Sequence, residues 1–320
     1  MYRVIIILTV LITLVLPSTA FAQTSDEGVI EGQVINGTEG GGSVAGVEIT
    51  LITYTDDMMA ETNTTMTDSE GKFQFINVST MNKYLVSARY TGVDYYYPVS
   101  YTSGETKTFI EVGVCDTTSS DEMIRVGLSH VIVNIEEKSL QVTQVYWLFN
   151  DSDRTYIGRD GVLVFTLPEG ASCFQAPQEL MPDYQELDDN RVTYLVPFPP
   201  GERQLVFSYS LVKPESDEFN VPVRTDYPTD SLELMVGGED IEVVVTQLAP
   251  ADPVVTDTGE RFIHFWGENI QRDTEITVGI TRITGGSVPY LVIISVLIAL
   301  VIILIGVYLF RRKRRVIGSE

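Results

Sequence analysis

Thr67-Asp68-Ser69-Glu70-Gly71-Lys72-Phe73-Gln74-Phe75 decides how this chain folds. Asp68 is placed to cap a tight turn, and Gly71 supplies the positive φ that a β-carbon resists. Phe73 and Phe75 then return two residues apart on one side of a strand. The stretch predicts a hairpin. The same alternation extends outward, with Val47, Ile49 and Leu51 before the turn and Tyr84, Val86, Ala88 and Tyr90 after it. It recurs at Ile124, Val126 and Leu128, at Leu205, Phe207, Tyr209 and Leu211, at Ile241, Val243 and Val245, and at Ile276, Val278 and Ile280. Short alternating runs broken by Gly, Pro, Asn and Asp are half-buried strands and turns. No long stretch from Gly28 to Phe265 has helical spacing. The expected fold class is all-β, built as tandem β-sandwiches.

The first module carries a more specific pattern. Gly32-Gln33-Val34, Asn36-Gly37-Thr38, the run Val44 to Leu51, the turn Thr67 to Phe75 with Val78 beyond it, and Tyr84-Leu85-Val86 follow one another in order. This order resembles the carboxypeptidase regulatory-like domain, over about residues 27–99. The resemblance implies a transthyretin-like (prealbumin-type) sandwich with a carbohydrate-binding-like fold. It implies no peptidase activity, because in carboxypeptidases the module accompanies a separate catalytic domain.

Both termini carry export features. Arg3 precedes an apolar run from Val4 to Leu16, and Ala20-Phe21-Ala22 offers small residues for cleavage, so residues 1–22 read as a signal peptide. Val288 to Phe310 holds no charged residue and is long enough to cross a hydrocarbon core of ~30 Å. Arg311, Arg312, Lys313, Arg314 and Arg315 follow at once, which fixes the C-terminus in the cytoplasm. The expected organisation is a signal peptide (1–22), the regulatory-like sandwich (23–107), a second β-rich region (108–287), a transmembrane helix (288–310) and a basic cytoplasmic tail (311–320). The second region is expected to be immunoglobulin-like or one larger sandwich, with a possible internal boundary near Lys213-Pro214.

The exported portion, residues 23–287, holds 15 basic against 43 acidic residues, a balance near −28. Such a surface repels phosphate backbones and excludes nucleic acid as a partner. Cys115 and Cys173 both fall in this portion, where thiols oxidise, and a disulfide between them is the expectation. It would close a loop worth roughly 4 kcal/mol in chain entropy. Two buried thiols are the alternative.

The sequence gives little sign of catalysis. His130 and His264 each lie singly inside a strand pattern, without a neighbouring His or Cys that would suggest zinc. Asn150-Asp151-Ser152-Asp153 starts like a calcium loop, but it lacks the glycine at Tyr156 and carries a cation at Arg154. No Gly-x-Ser-x-Gly elbow and no phosphate-binding loop occurs, so neither an enzyme nor a cofactor is expected. Asn36, Asn63, Asn77 and Asn150 begin triplets of the N-glycosylation type. Tyr95-Tyr96-Tyr97-Pro98-Val99-Ser100-Tyr101 gathers four aromatic rings, and Tyr95, Tyr97 and Tyr101 are the candidate ligand-binding residues. The expected role is that of a non-enzymatic, single-pass type I membrane protein presenting modules to an extracytoplasmic protein or glycan. Its rivals are a carbohydrate-binding surface module and an accessory subunit of an envelope enzyme or assembly complex.

Overall fold

The computed structural model describes residues 27–54, 60–159, 161–187, 189–238 and 240–282. The signal peptide, the apolar segment 288–310 and the basic cluster Arg311 to Arg315 lie outside the described residues. Among the described residues, no helix is long and apolar enough to cross a membrane. Those residues form an all-β chain whose only helical piece is a single 3-10 turn, Met181–Asp183.

The chain divides into two compact units. The smaller takes in 27–34, Val44–Ala88 and Tyr95–Val112; the larger takes in Ile35–Ser43, Arg89–Asp94 and the chain from Gly113. Seven strands open the chain: β1 (Glu27–Asn36), β2 (Glu48–Tyr54), β3 (Ala60–Met66), β4 (Lys72–Ser79), β5 (Lys83–Tyr90), β6 (Val93–Val99) and β7 (Lys107–Val114). They form a sheet ordered β4-β1-β7 and another ordered β3-β2-β5-β6. Ile30, Ile49, Leu51, Phe73, Phe75 and Val86 are all buried, as the period-two pattern requires.

The deciding turn forms, but not as a hairpin. Asp68 Oδ1 accepts the Glu70 and Lys72 N–H groups at 2.8 and 2.9 Å, which holds its carboxyl below the usual carboxylate range. Gly71 has φ of 78°, and a β-carbon there would stand 2.7 Å from the Val34 carbonyl oxygen. The strands on either side do not pair with each other. β3 pairs with β2 and β4 with β1, so the turn carries the chain from one sheet to the other. Local turn chemistry is the same in both cases; only the long-range partners differ.

The larger unit adds β8 (Thr117–Thr118), β9 (Ile124–Ile135), β10 (Ser139–Asn150), β11 (Thr155–Tyr156), β12 (Leu163–Thr166), β13 (Ser172–Gln175), β14 (Tyr184–Leu187) and β15 (Arg191–Tyr194). It continues with β16 (Gly201–Val212), β17 (Glu218–Thr225), β18 (Thr229–Gly237), β19 (Ile241–Val245), β20 (Ala249–Val255), β21 (Arg261–Ile270) and β22 (Thr274–Arg282). A seven-stranded sheet, ordered β13-β16-β10-β9-β18-β21-β20, is its backbone. Two three-stranded sheets, β12-β15-β14 and β17-β22-β19, contribute to the same apolar core as that sheet, which gives the unit β-sandwich character. Phe207 and Tyr209 of β16, Leu234 of β18, Phe165 of β12 and Val278 of β22 all lie in this core. Lys213 and Pro214 connect β16 to β17, and residues from both sides of them share that core.

Two features set the face of the large sheet. β18 pairs parallel with β9 and antiparallel with β21, so three strands far apart in sequence become neighbours. The pairing of β9 with β10 shifts register between Trp147 and Leu148. Such a bulge changes which residues face outward. Leu128, expected to continue the inward set of Ile124 and Val126, instead opposes Trp147 and is only partly buried.

Candidate functional site

On the side of the seven-stranded sheet away from the large core, Glu233 lies at the centre of a row of paired residues. Its neighbours in β18, Leu232 and Leu234, point into the core, so alternation turns Glu233 outward. Pairing places His130 of β9 beside it on one side and Trp266 of β21 beside it on the other. Val145 of β10 continues the row past His130. Two residues before Trp266, His264 shares its face and reaches back toward Glu233. The His130 Nε2 lies 3.3 Å, and the His264 Nε2 3.8 Å, from the same oxygen, Glu233 Oε2. The ring of Trp147 meets His130 edge-on, with centroids 5.2 Å apart.

The sequence holds two histidines and two tryptophans. All four converge on this face around one carboxylate. Ile132, Met235 and Phe262 form a small apolar cluster beside them. Trp266 is 40% exposed, so its ring is open to solvent, and Glu233 is 38% exposed at its side chain.

The imidazoles differ in their hydrogen-bond circumstances. His264 Nδ1 stands 3.3 Å from the Asp252 carbonyl oxygen, an atom that only accepts, so Nδ1 carries the hydrogen. The Nε2 of a neutral His264 is therefore an acceptor, buried and without a hydrogen-bond partner. His130 is the more buried of the two, and its Nδ1 also lacks a partner. Burial pushes the His130 pKa down, against an upward pull from Glu233 and with a further downward push from His264.

Among the described residues, no group of three or more His, Cys, Asp or Glu is placed to hold a metal ion. The face offers an exposed indole and a half-buried carboxylate, while the unpartnered imidazole nitrogens behind them are closed to solvent.

The tyrosine cluster is arranged differently from the expectation. Tyr95 is buried in the smaller unit's core and cannot present its ring to a ligand. Tyr97 is half-buried. Tyr101 packs edge-on to Tyr84, with centroids 6.5 Å apart, and its buried hydroxyl has no hydrogen-bond partner. Burial pushes that phenol up to about 12. The exposed ring is that of Tyr96, at 56%, because alternation along β6 turns it away from Tyr95.

Cys115 and Cys173 are not joined in a disulfide, contrary to expectation. Cys115 lies between β7 and β8, half-buried, and burial and the nearby Asp153 push its thiol up. Cys173 sits exposed in β13, at the edge of the large sheet, with φ of 53°. The two residues belong to separate elements with separate partners.

The glycosylation-type triplets also separate on structure. Asn150 is 2% exposed, and its amide donates to the carbonyls of Arg154 and Phe198 at 2.8 Å each. The Asn36 amide is engaged by Tyr90, Asp116 and the Gly42 carbonyl, all at 3.0 Å. These bonds, with Tyr90 donating to Asp116 at 2.8 Å, hold the Asp116 carboxyl below its usual range. Asn63 and Asn77 are exposed. The loop that starts like a calcium site spends its carboxylates within the protein, Asp151 on Arg125 at 2.6 Å and Asp153 on the Glu39 N–H at 2.8 Å.

Comparison with known families finds no match, and none of the curated proteins matches the chain. Among solved structures, a Parabacteroides distasonis protein described as a "putative protease" is similar over 51% of this chain, at 10% identity and a TM-score of 0.36. The similar part spans 41% of that protein, less than half its length.

Proposed function

We propose that this is a non-enzymatic, membrane-anchored extracytoplasmic protein that presents tandem β-sandwiches, the first transthyretin-like, and that it binds its partner through the Glu233 face of the larger unit. One observation carries the assignment: every histidine and every tryptophan of the chain gathers around one outward carboxylate. Aromatic rings at the centre of a surface patch are the residues that dominate binding energies. The export features at Val4 to Ala22 and Val288 to Arg315 support an ectodomain outside the cytoplasm.

A second reading, favoured by the exposed ring of Trp266, is glycan binding, with a sugar ring stacked on the indole. Site-directed photo-crosslinking separates either reading from a purely structural role. A benzophenone amino acid at position 266 in the full-length protein on intact cells is expected to give a specific adduct that Glu233→Gln removes. The same probe at Tyr96 is expected to give none. Adducts from position 96 alone, or adducts at 266 that ignore Glu233, would overturn the assignment.

A further inference from the structure

Resting on the extracytoplasmic placement and not on the binding face, we infer that Asn63 and Asn77 carry N-linked glycans, which cover one open side of the smaller unit, and that Asn36 and Asn150 carry none. The chemistry of the modification separates the four triplets. In N-glycosylation the carboxamide nitrogen attacks the anomeric carbon of an oligosaccharide held on a polyprenyl diphosphate. The new N–C bond replaces the C–O bond to the diphosphate, which leaves with the bonding electron pair, and the nitrogen gives up one of its two hydrogens as a proton. A folded protein accommodates the product only where an amide hydrogen is not already committed and the bulky sugar reaches solvent.

Asn150 fails on both counts, being 2% exposed with both hydrogens spent on the Arg154 and Phe198 carbonyls. The Asn36 amide is enclosed by the Gly42 carbonyl, the Tyr90 hydroxyl and the Asp116 carboxylate, each at 3.0 Å. Asn63 and Asn77 are exposed, and Thr65 and Ser79 supply the hydroxyl two residues on that completes an acceptor triplet. Asn63 lies in the middle of β3. Asn77 is the bulged residue of β4: Val29 pairs with Ile76 and Gly28 with Val78, which leaves Asn77 outside the ladder at φ of 58°.

Both positions fall on strand edges that lack other cover. β3 ends one sheet of the smaller unit and β4 ends the other. The two strands are in contact, so both edges lie on one side of the sandwich. An open edge offers unpaired N–H and C=O groups to any other strand, and proteins block it with proline, lysine or a bulge. At the opposite ends of the two sheets, β6 holds Pro98 and β7 holds Lys107. β3, Ala60-Glu61-Thr62-Asn63-Thr64-Thr65-Met66, has neither residue. Met66 of β3 and Ile76 of β4 are also left 56% and 58% exposed. A hydrophilic glycan at the middle of β3 and another at the β4 bulge cover this side.

Peptide mapping by mass spectrometry, on the full-length protein taken from the membranes of its source cells, tests the assignment. Peptides holding Asn63 and Asn77 are expected to carry sugar, seen as sugar fragment ions, and those holding Asn36 and Asn150 to run at their unmodified mass. Asn63→Gln and Asn77→Gln are each expected to lower the intact mass by one glycan. The double variant is expected to melt cooperatively, which shows that it folds, and yet to aggregate where the glycosylated protein stays dispersed. Unmodified peptides at both positions, sugar at only one of them, or sugar at Asn36 or Asn150 of the folded protein would overturn the assignment. Equal dispersal of the double variant would overturn the shielding. Outward placement is read separately, by labelling of Cys173 with an impermeant maleimide on intact cells. Labelling without sugar defeats the glycosylation alone, whereas labelling only after lysis defeats the placement on which it rests.

Discussion

At the scale of single residues, two side chains show how the same burial serves opposite ends. Asn150 is buried with both amide hydrogens spent on carbonyls across a loop. Asn150→Ala strands those carbonyls, and a loss of about 2 kcal/mol in chemical denaturation is expected. A loss under about 0.5 kcal/mol would mean the loop closes by other means. His130 is buried with a nitrogen unsatisfied, and its pKa lies below the ordinary value because burial disfavours the cation. The sign of its linkage follows. Above the unfolded value near 6.5 neither state binds the proton; below it the unfolded chain takes up a proton that the folded chain refuses. Stability therefore falls as pH drops from about 6.5 toward the lower folded pKa. His130→Gln is expected to flatten that part of the profile while leaving carboxylate-driven acid unfolding at lower pH. An unchanged slope between pH 6.5 and 5 in urea melts would contradict it.

At the scale of elements, β18 is the strand on which both the core and the proposed binding face depend. Leu234 is fully buried and Glu233 next to it is outward, so one strand tests both roles. Leu234→Ala is expected to cost about 3 kcal/mol, and Glu233→Gln less than about 0.5 kcal/mol. Equal costs would mean that Glu233 is a structural ion-pair partner. The strands themselves were legible in the sequence. Leu205, Phe207, Tyr209 and Leu211 alternate and are all buried, and Asp68 and Gly71 make the turn that their chemistry predicts. Pairing was not legible. Nothing local tells β3 and β4 to join different sheets, or β18 to insert between β9 and β21. The site depends on that insertion, which brings together His130, Glu233 and His264 from strands far apart in the chain. A local signal did exist: His264 and Trp266 occupy one face of a strand, and Glu233 interrupts an apolar run between Leu232 and Leu234. The tyrosine run drew attention because its rings are adjacent in sequence, yet alternation divides them between core and solvent.

At the scale of the whole molecule, the proposed function requires the larger unit to lie outside the cytoplasmic membrane. Its two thiols give a test of that placement. Cys173 is exposed, whereas Cys115 is half-buried with its thiol pushed up, away from the reactive thiolate. A membrane-impermeant maleimide applied to intact cells is expected to label Cys173 first. Labelling that begins only after lysis would put this unit on the other side. The central claim, that one assembled site draws together the rare side chains of the chain, is tested most directly by fluorine NMR of the full-length protein grown with 5-fluorotryptophan. Two tryptophans give two resonances. The resonance of Trp147, whose ring meets His130, is predicted to shift as the pH is lowered below the ordinary histidine value, and Glu233→Gln, which removes the upward pull on His130, is predicted to move that titration lower. Two resonances that ignore pH, or that titrate without regard to Glu233, would contradict it.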